Sequence, residues 1–380
     1  MSVQFKGCNL TGGSTYWSSW PSTGPVSGQH YQFVSHAEVD ALLAKGMNTF
    51  RLVFAWEALQ AKEYEALGVT YPDYAAKLFD LVDYITGKGA NVILDVHGDA
   101  DRGFAAYMDV PVGSKTPSGQ LVDDLLENLW WSLGTKYSSN PHVWCGVTNE
   151  PHDIPVATWF AAAQKILNGW RKGSSAPVVM PGTAWTGAGS WVESGNAAGW
   201  NLVDPLNNTF VQLHLYLDQN SGGGAVDVVS PTIGVERMAR ATSWARAKGL
   251  KLFLGEVGMT AANGKLAWDN LMTYCEANSD VIIGWTWWAQ GPLAWWGGYQ
   301  FTLRNGAGGD TAQMAMVVPY LKSAVAPVDV SALTTKITSL TSDVTTLKAQ
   351  ISTLTTQTTS LIAQIAGLRS KIAAAQGALT

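Results

Sequence analysis

The sequence predicts an α/β fold, a (β/α)8 TIM barrel, followed by a C-terminal heptad-repeat coiled-coil helix, and three observations carry that prediction. Eight short apolar runs, each followed by a helix or a helix-sized segment, fill the chain up to about Ala326. Several of these runs end in polar or aromatic residues, as expected where chemistry gathers at the carboxyl ends of barrel strands. From Leu333 onward the pattern becomes an unbroken heptad.

The strand-like runs are QFKGCNL (4–10), MNTFRLVF (47–54), ANVILDVH (90–97) and HVWCGVTNE (142–150). APVVMP (176–181), TFVQLHLY (209–216), LKLFLGE (250–256) and VIIGWTWW (281–288) complete the eight. Helical patterns fall near 36–45, 72–88, 118–138, 157–172, 232–248, 264–278 and 311–324, and the segment after the fifth strand is poorly helical. Residues 1–326 are long for one barrel but within the range for barrels with insertions. A doubly wound open sheet is the alternative, and the lack of a glycine-rich phosphate loop after the first strand counts against it.

Residues 327–332 read as a short linker opened by Pro327, and 333–380 as a coiled-coil oligomerisation segment. One apolar series is Ile337, Val344, Ile351, Thr358, Ile365, Ile372 and Leu379; the other is Leu333, Leu340, Leu347, Leu354, Leu361, Leu368 and Ala375. β-branched residues at a with leucine at d favour a parallel two-stranded coil, while Thr358 at an a position leaves a trimer open. A homo-oligomer held by residues 333–380 is expected.

Composition narrows the partners. A net charge of −5 supplies no basic field for nucleic acid or an anionic membrane. No apolar run reaches the length of a membrane span, and the start MSVQFKGCNL lacks the charged and apolar regions of a signal peptide. Cys8, Cys145 and Cys275 form no even framework; Cys8 and Cys145, in apolar runs, read as buried small hydrophobes. The 18 tryptophans are the outlier of the composition; such flat rings suit sugar faces and equally fill cores, and about a third of them are expected in a binding cleft. No cofactor and no metal are expected.

Candidate chemistry is read from the strand ends. They carry Arg51 on the second, Asp95 and His97 on the third, Asn149 and Glu150 on the fourth, and His214 and Tyr216 on the sixth. Glu256 ends the seventh, and Trp287 and Trp288 end the eighth. Two glutamates facing each other across a barrel mouth suit glycosidic hydrolysis, which needs an acid for the leaving oxygen and a carboxylate to attack the anomeric carbon or activate water. Arg51 is placed to keep one of the pair ionised, and His214 to tune the other.

These residues resemble glycoside hydrolase family 5. The run Val147-Thr-Asn-Glu-Pro-His-Asp153 carries the resemblance, with Arg51 in FRLVF, His97 in LDVHG, His214-Leu-Tyr216, Leu254-Gly-Glu256 and Trp288 in WWAQGP. It spans about residues 3–322, and PGTAWTGAGSWV (181–192) and HLYLDQNSGG (214–223) are similar to the endo-β-1,4-glucanase (cellulase) branch.

The resemblance implies a retaining enzyme acting on β-glucan, with Glu150 as general acid/base and Glu256 as nucleophile. It further implies that Arg51 and Tyr216 hold Glu256, that Asn149 and His97 bind sugar hydroxyls, that His214 bonds near Glu150, and that Trp288 is the stacking platform. A secreted location follows from the substrate class. The same machinery on mannan or xyloglucan, or a carbohydrate-binding barrel clustered by the coil, are the alternatives.

The stretch 98–102 (GDADR) departs from that branch, and Asp95, His97, Asp99 and Asp101 at alternate positions offer a cation site as a minor reading. Tyr16, Trp17, Trp20, Trp295 and Trp296 are candidates for the cleft rim. Trp130 and Trp131 read as core, as do Trp285 and Trp287. Asn9, although in a glycosylation pattern, reads as a barrel residue.

Overall fold

The computed structural model describes residues 2–14, 24–97, 106–107, 110–321 and 331–377. Tyr16, Trp17 and Trp20, the stretch 98–102 and residues 327–330 of the linker lie outside the described residues.

Eight parallel strands close into a barrel: β1 (Phe5–Leu10), β2 (Thr49–Phe54), β3 (Asn91–Val96), β4 (Val143–Thr148), β5 (Val178–Met180), β6 (Thr209–Tyr216), β7 (Leu252–Gly258) and β8 (Ile282–Gln290). Each pairs with its sequence neighbours, and β8 returns to β1. Runs such as TFRLVF in β2 are buried throughout, because strands covered on both faces have no solvent side on which to alternate.

Among the described residues the longer helices that flank them are α1 (His36–Ala44), α2 (Pro72–Gly87), α3 (Val122–Lys136), α4 (Val156–Gly173), α5 (Ile233–Lys248), α6 (Ala261–Ala277) and α7 (Ala312–Leu321). Local chemistry sets their ends. Ser35 and Glu38 form a capping box before α1, Pro72 opens α2, and Gly249 closes α5 with a left-handed φ of 68°. The connection after β5 holds only the turn Ala184–Thr186 and the short helix Asn196–Gly199, as its poorly helical composition predicts.

Trp285 and Trp287 are buried and meet Trp268 edge-on at 5.3 and 5.1 Å, so both pack the core as expected. Trp130 is buried too, but Trp131 is 47% exposed, which corrects the reading of both as core. Adjacent residues on a helix point about 100° apart, so one apolar stripe does not take both.

Register positions the site. Gly7 allows β1 and β2 to approach, since a Cβ there would lie 1.7 Å from the Thr49 carbonyl oxygen; Asn9 then pairs with Arg51. Between Leu213–Leu254 and His214–Glu256, β6 advances one residue and β7 two, so Gly255 is an extra residue that re-aims Glu256 beside His214. A second shift separates Leu94–Cys145 from Val96–Thr148, where Val147 has φ 63°. The chain is therefore bulged immediately before Glu256 within β7 and, within β4, a few residues before Glu150.

The chain divides into two compact units, Met1–Ser323 and Ala324–Thr380. The second carries α8 (Ser331–Gly377), a helix of 47 residues, about 70 Å long at 1.5 Å per residue. Its heptad leucines, isoleucines and valine from Leu340 to Ile372 are exposed. Among the described residues no helix is long and apolar enough to cross a membrane.

Candidate active site

Arg51 is the hub of the barrel mouth. It is fully buried, and its Nη1 donates to Glu256 Oε1 at 2.6 Å and to Asn9 Oδ1 at 2.9 Å. Its Nη2 donates to Asn149 Oδ1 at 2.8 Å and lies 2.8 Å from Asp95 Oδ1. Burial works against the guanidinium charge, but Asp95 and Glu256 outweigh it and raise the pKa. Asn9 is itself anchored, donating to the Gly255 carbonyl at 2.9 Å.

Glu256 is buried, and Tyr216 donates to its second oxygen at 2.6 Å. Both oxygens are thus held by donors, the arrangement that fixes a carboxylate in place. Burial, then the charge of Glu256, pushes the Tyr216 hydroxyl well above its ordinary range, so it remains a donor.

Glu150 lies two residues beyond β4 with φ 41°, a conformation that non-glycine residues hold only under constraint from their surroundings. Burial raises its pKa to about 7, against the opposing pull of His97 and Arg51. Its Oε1 is 2.7 Å from His214 Nδ1, which is also 3.6 Å from Glu256 Oε2. Burial lowers the pKa of His214 to about 3, so this ring is neutral at ordinary pH. One oxygen of each glutamate and a ring nitrogen of His214 lie within 4.8 Å of one another.

Among the described residues, these three groups are close enough together to hold a metal ion. A resident cation there would compete with the guanidinium of Arg51, already bound to Glu256. Asp95, from the alternative cation reading, is spent on Arg51 and on His97 Nδ1 at 2.8 Å; Asp99 and Asp101 lie outside the described residues.

Trp288, half-buried at the end of β8, lies parallel to His97 with centroids 5.3 Å apart and is braced edge-on by Trp296 at 6.2 Å. The eight residues to which the family resemblance gives roles therefore converge: Arg51, His97, Asn149, Glu150, His214, Tyr216, Glu256 and Trp288.

Sequence reasoning missed two features. Asn9, placed in the barrel, was not recognised as the support of Arg51, although its position at the end of β1 was a signal. Trp185 is 51% exposed and stacked on His152 at 4.5 Å, within a run in which Ala184, Trp185 and Thr186 all have positive φ. Its backbone amide bonds to the Pro151 carbonyl, so the ring sits beside the segment that carries Glu150. No local pattern announces three consecutive left-handed residues.

A model of the cellulase family, glycosyl hydrolase family 5, matches residues 4–291. The chain belongs to that family. Similar proteins include a probable endo-β-1,4-glucanase B of Neosartorya fischeri, 31% identical over 300 residues, covering 77% of this chain and 85% of that one. Endoglucanase 3 of Humicola insolens is 31% identical, over 74% of this chain and 69% of its own. Among crystal structures, that of the endo-β-1,4-glucanase Xac0029 of Xanthomonas axonopodis pv. citri superposes with a TM-score of 0.76 at 34% identity, covering 84% of this chain and 98% of that one. A structure of XacCel5A in complex with cellopentaose superposes at 0.74 and 31% identity, covering 84% and 99%.

Proposed function

We infer that this family 5 enzyme cleaves internal β-1,4 bonds of glucan with retention of configuration, using Glu256 as nucleophile and Glu150 as acid/base. The observation that carries the reading is the contrast between two close carboxylates. Glu256 is gripped by Arg51 and Tyr216, whereas Glu150 is half-buried against a neutral imidazole and holds its proton to about pH 7. One oxygen of each glutamate lies within 4.8 Å of the other, a close approach of the kind retaining enzymes use when the second carboxylate itself attacks the anomeric carbon.

In the first step Glu150 gives its proton to the glycosidic oxygen while a Glu256 oxygen bonds to the anomeric carbon and the leaving chain departs as an alcohol. In the second, Glu150 takes a proton from water, whose oxygen displaces Glu256 and restores the free enzyme. Asn149 and His97 are assigned to sugar hydroxyls, and Trp288 to the ring beneath which it lies. Glu150→Gln and Glu256→Gln are each expected to abolish release of reducing sugar from carboxymethylcellulose without loss of fold by circular dichroism. Near-normal activity in either overturns the assignment. A panel including mannan and xyloglucan tests the glucan preference, and NMR of the first-formed anomer tests retention.

For the second unit, the reading is self-association through residues 333–380. An apolar seam such as Leu354, 60% exposed, and Ile351, 62% exposed, wants a partner. Asp343 at a g position and Lys348 at the following e position would face each other across a parallel, in-register pair. Several barrels on one rod would grip a polymer more firmly than one. The same polymeric substrate supports action outside the cell.

A further inference from the structure

Gln212 lies two residues before His214 on β6, hence on the same face, and is fully buried beneath it. Its Nε2 is 3.3 Å from His214 Nε2, and among the described residues its Oε1 has no hydrogen-bond partner. The bulge glycine makes room for it: a Cβ on Gly255 would come within 2.9 Å of Gln212 Cγ. A buried amide oxygen without a partner is costly, and a side chain kept at that cost calls for an explanation.

We propose that Gln212 is a positioning residue that selects the Nδ1–H tautomer of His214 and so keeps the transferable proton of Glu150 on the oxygen turned away from His214; the proposal rests on the acid/base reading of Glu150. A neutral imidazole has one donor and one acceptor. With the amide N–H pointing at His214 Nε2, that nitrogen is the acceptor and Nδ1–H donates to Glu150 Oε1 at 2.7 Å. Oε1 is then occupied as an acceptor whether Glu150 is charged or neutral, and the proton resides on Oε2, free for the leaving oxygen. In the opposite tautomer the Nδ1 lone pair would face Oε1. It would repel the carboxylate after proton transfer and, before it, would draw the acid proton onto Oε1, away from the sugar. Each turnover passes through both charge states of Glu150, so a fixed donor at Nδ1 serves both steps.

The test compares aryl β-cellobiosides. A dinitrophenyl leaving group departs without protonation, whereas phenol needs it. Gln212→Met, which removes the donor at similar length, should lower kcat/KM for the phenyl glycoside about tenfold, part of the ~10²–10⁴-fold that positioned acid–base catalysis supplies. The dinitrophenyl glycoside should stay within about twofold, a change too small to signal a lost catalytic contact. Gln212→Glu, which offers only acceptors when ionised, should show the same selectivity.

Equal loss on both substrates would mean that Gln212 only packs, and the proposal fails. Glu150→Ala on the same pair separates the two levels: if it too shows no leaving-group dependence, the acid/base reading has failed instead. On the unaltered protein, nitrogen-15 NMR should find the His214 proton on Nδ1; finding it on Nε2 overturns the proposal without any variant.

Discussion

His214 Nδ1 lies 2.7 Å from Glu150 Oε1, and burial leaves the carboxyl, not the ring, as the group of this pair that titrates near neutrality. Desolvation disfavours charge on either member, raising an acid and lowering a base. It therefore separates the two affinities and settles the ownership of the proton.

A pH dependence follows with a definite sign. The pKa of Glu150 is raised to about 7, so the acid form needed for leaving-group protonation is present below that value and lost above it. The kcat/KM for a soluble cello-oligosaccharide should fall as pH rises through about 7, reporting the free enzyme. A profile that stays flat through neutrality would contradict the role given to Glu150.

Trp185 offers a test of cleft length. Its exposed ring, stacked on His152 next to Glu150, is placed to meet sugar beyond the cleavage point. Trp185→Ala should raise KM for long cello-oligosaccharides about three- to tenfold, the equivalent of one aromatic contact of about 0.5–1.5 kcal/mol. It should barely alter turnover of short aryl glycosides. Equal effects on both would place the ring outside the substrate path.

Arg171 and Asp204 join the end of α4 to the approach to β6 by a two-pronged bond, with Nε and Nη2 each 2.8 Å from a carboxylate oxygen. Burial alone would raise the Asp204 pKa, but Arg171, Thr209 and two backbone amides hold it far below 3.8. Because the folded value is depressed, the stabilisation is present above about 3.8 and disappears as pH falls below it. Asp204→Asn should cost about 3 kcal/mol at neutral pH, read from the urea midpoint, by leaving a buried guanidinium uncompensated. It should also flatten the acid dependence of stability, and wild-type behaviour in both respects would refute the clamp.

Removal of residues from Val330 onward should convert an oligomer into a monomer in sedimentation while preserving hydrolysis of soluble substrate. Because the seam leucines and isoleucines are the proposed contact, Leu354→Lys in the full chain should do the same. An unchanged mass in either case would remove the case for association.

The fold was legible because its signals are periodic and local. Continuous apolar runs such as NVILDV mark strands buried on both faces, and Ser35 with Glu38 or Pro72 marks a helix start before any tertiary contact exists. The strand-end rule then drew Glu150, Glu256 and their attendants out of the sequence, since closing a barrel brings the carboxyl ends of all strands together whatever the loops do. What tertiary structure alone supplied is the aim of each group. An extra residue at Gly255 reverses the side-to-side alternation of a strand, so parity read from the sequence no longer says which way Glu256 points. The meeting of Gln212 with His214, the anchoring of Arg51 by Asn9 and the exposure of Trp185 likewise depend on bulges, close strand approach and a left-handed run. Those features are stabilised by contacts between residues far apart in the chain, and no local pattern encodes them.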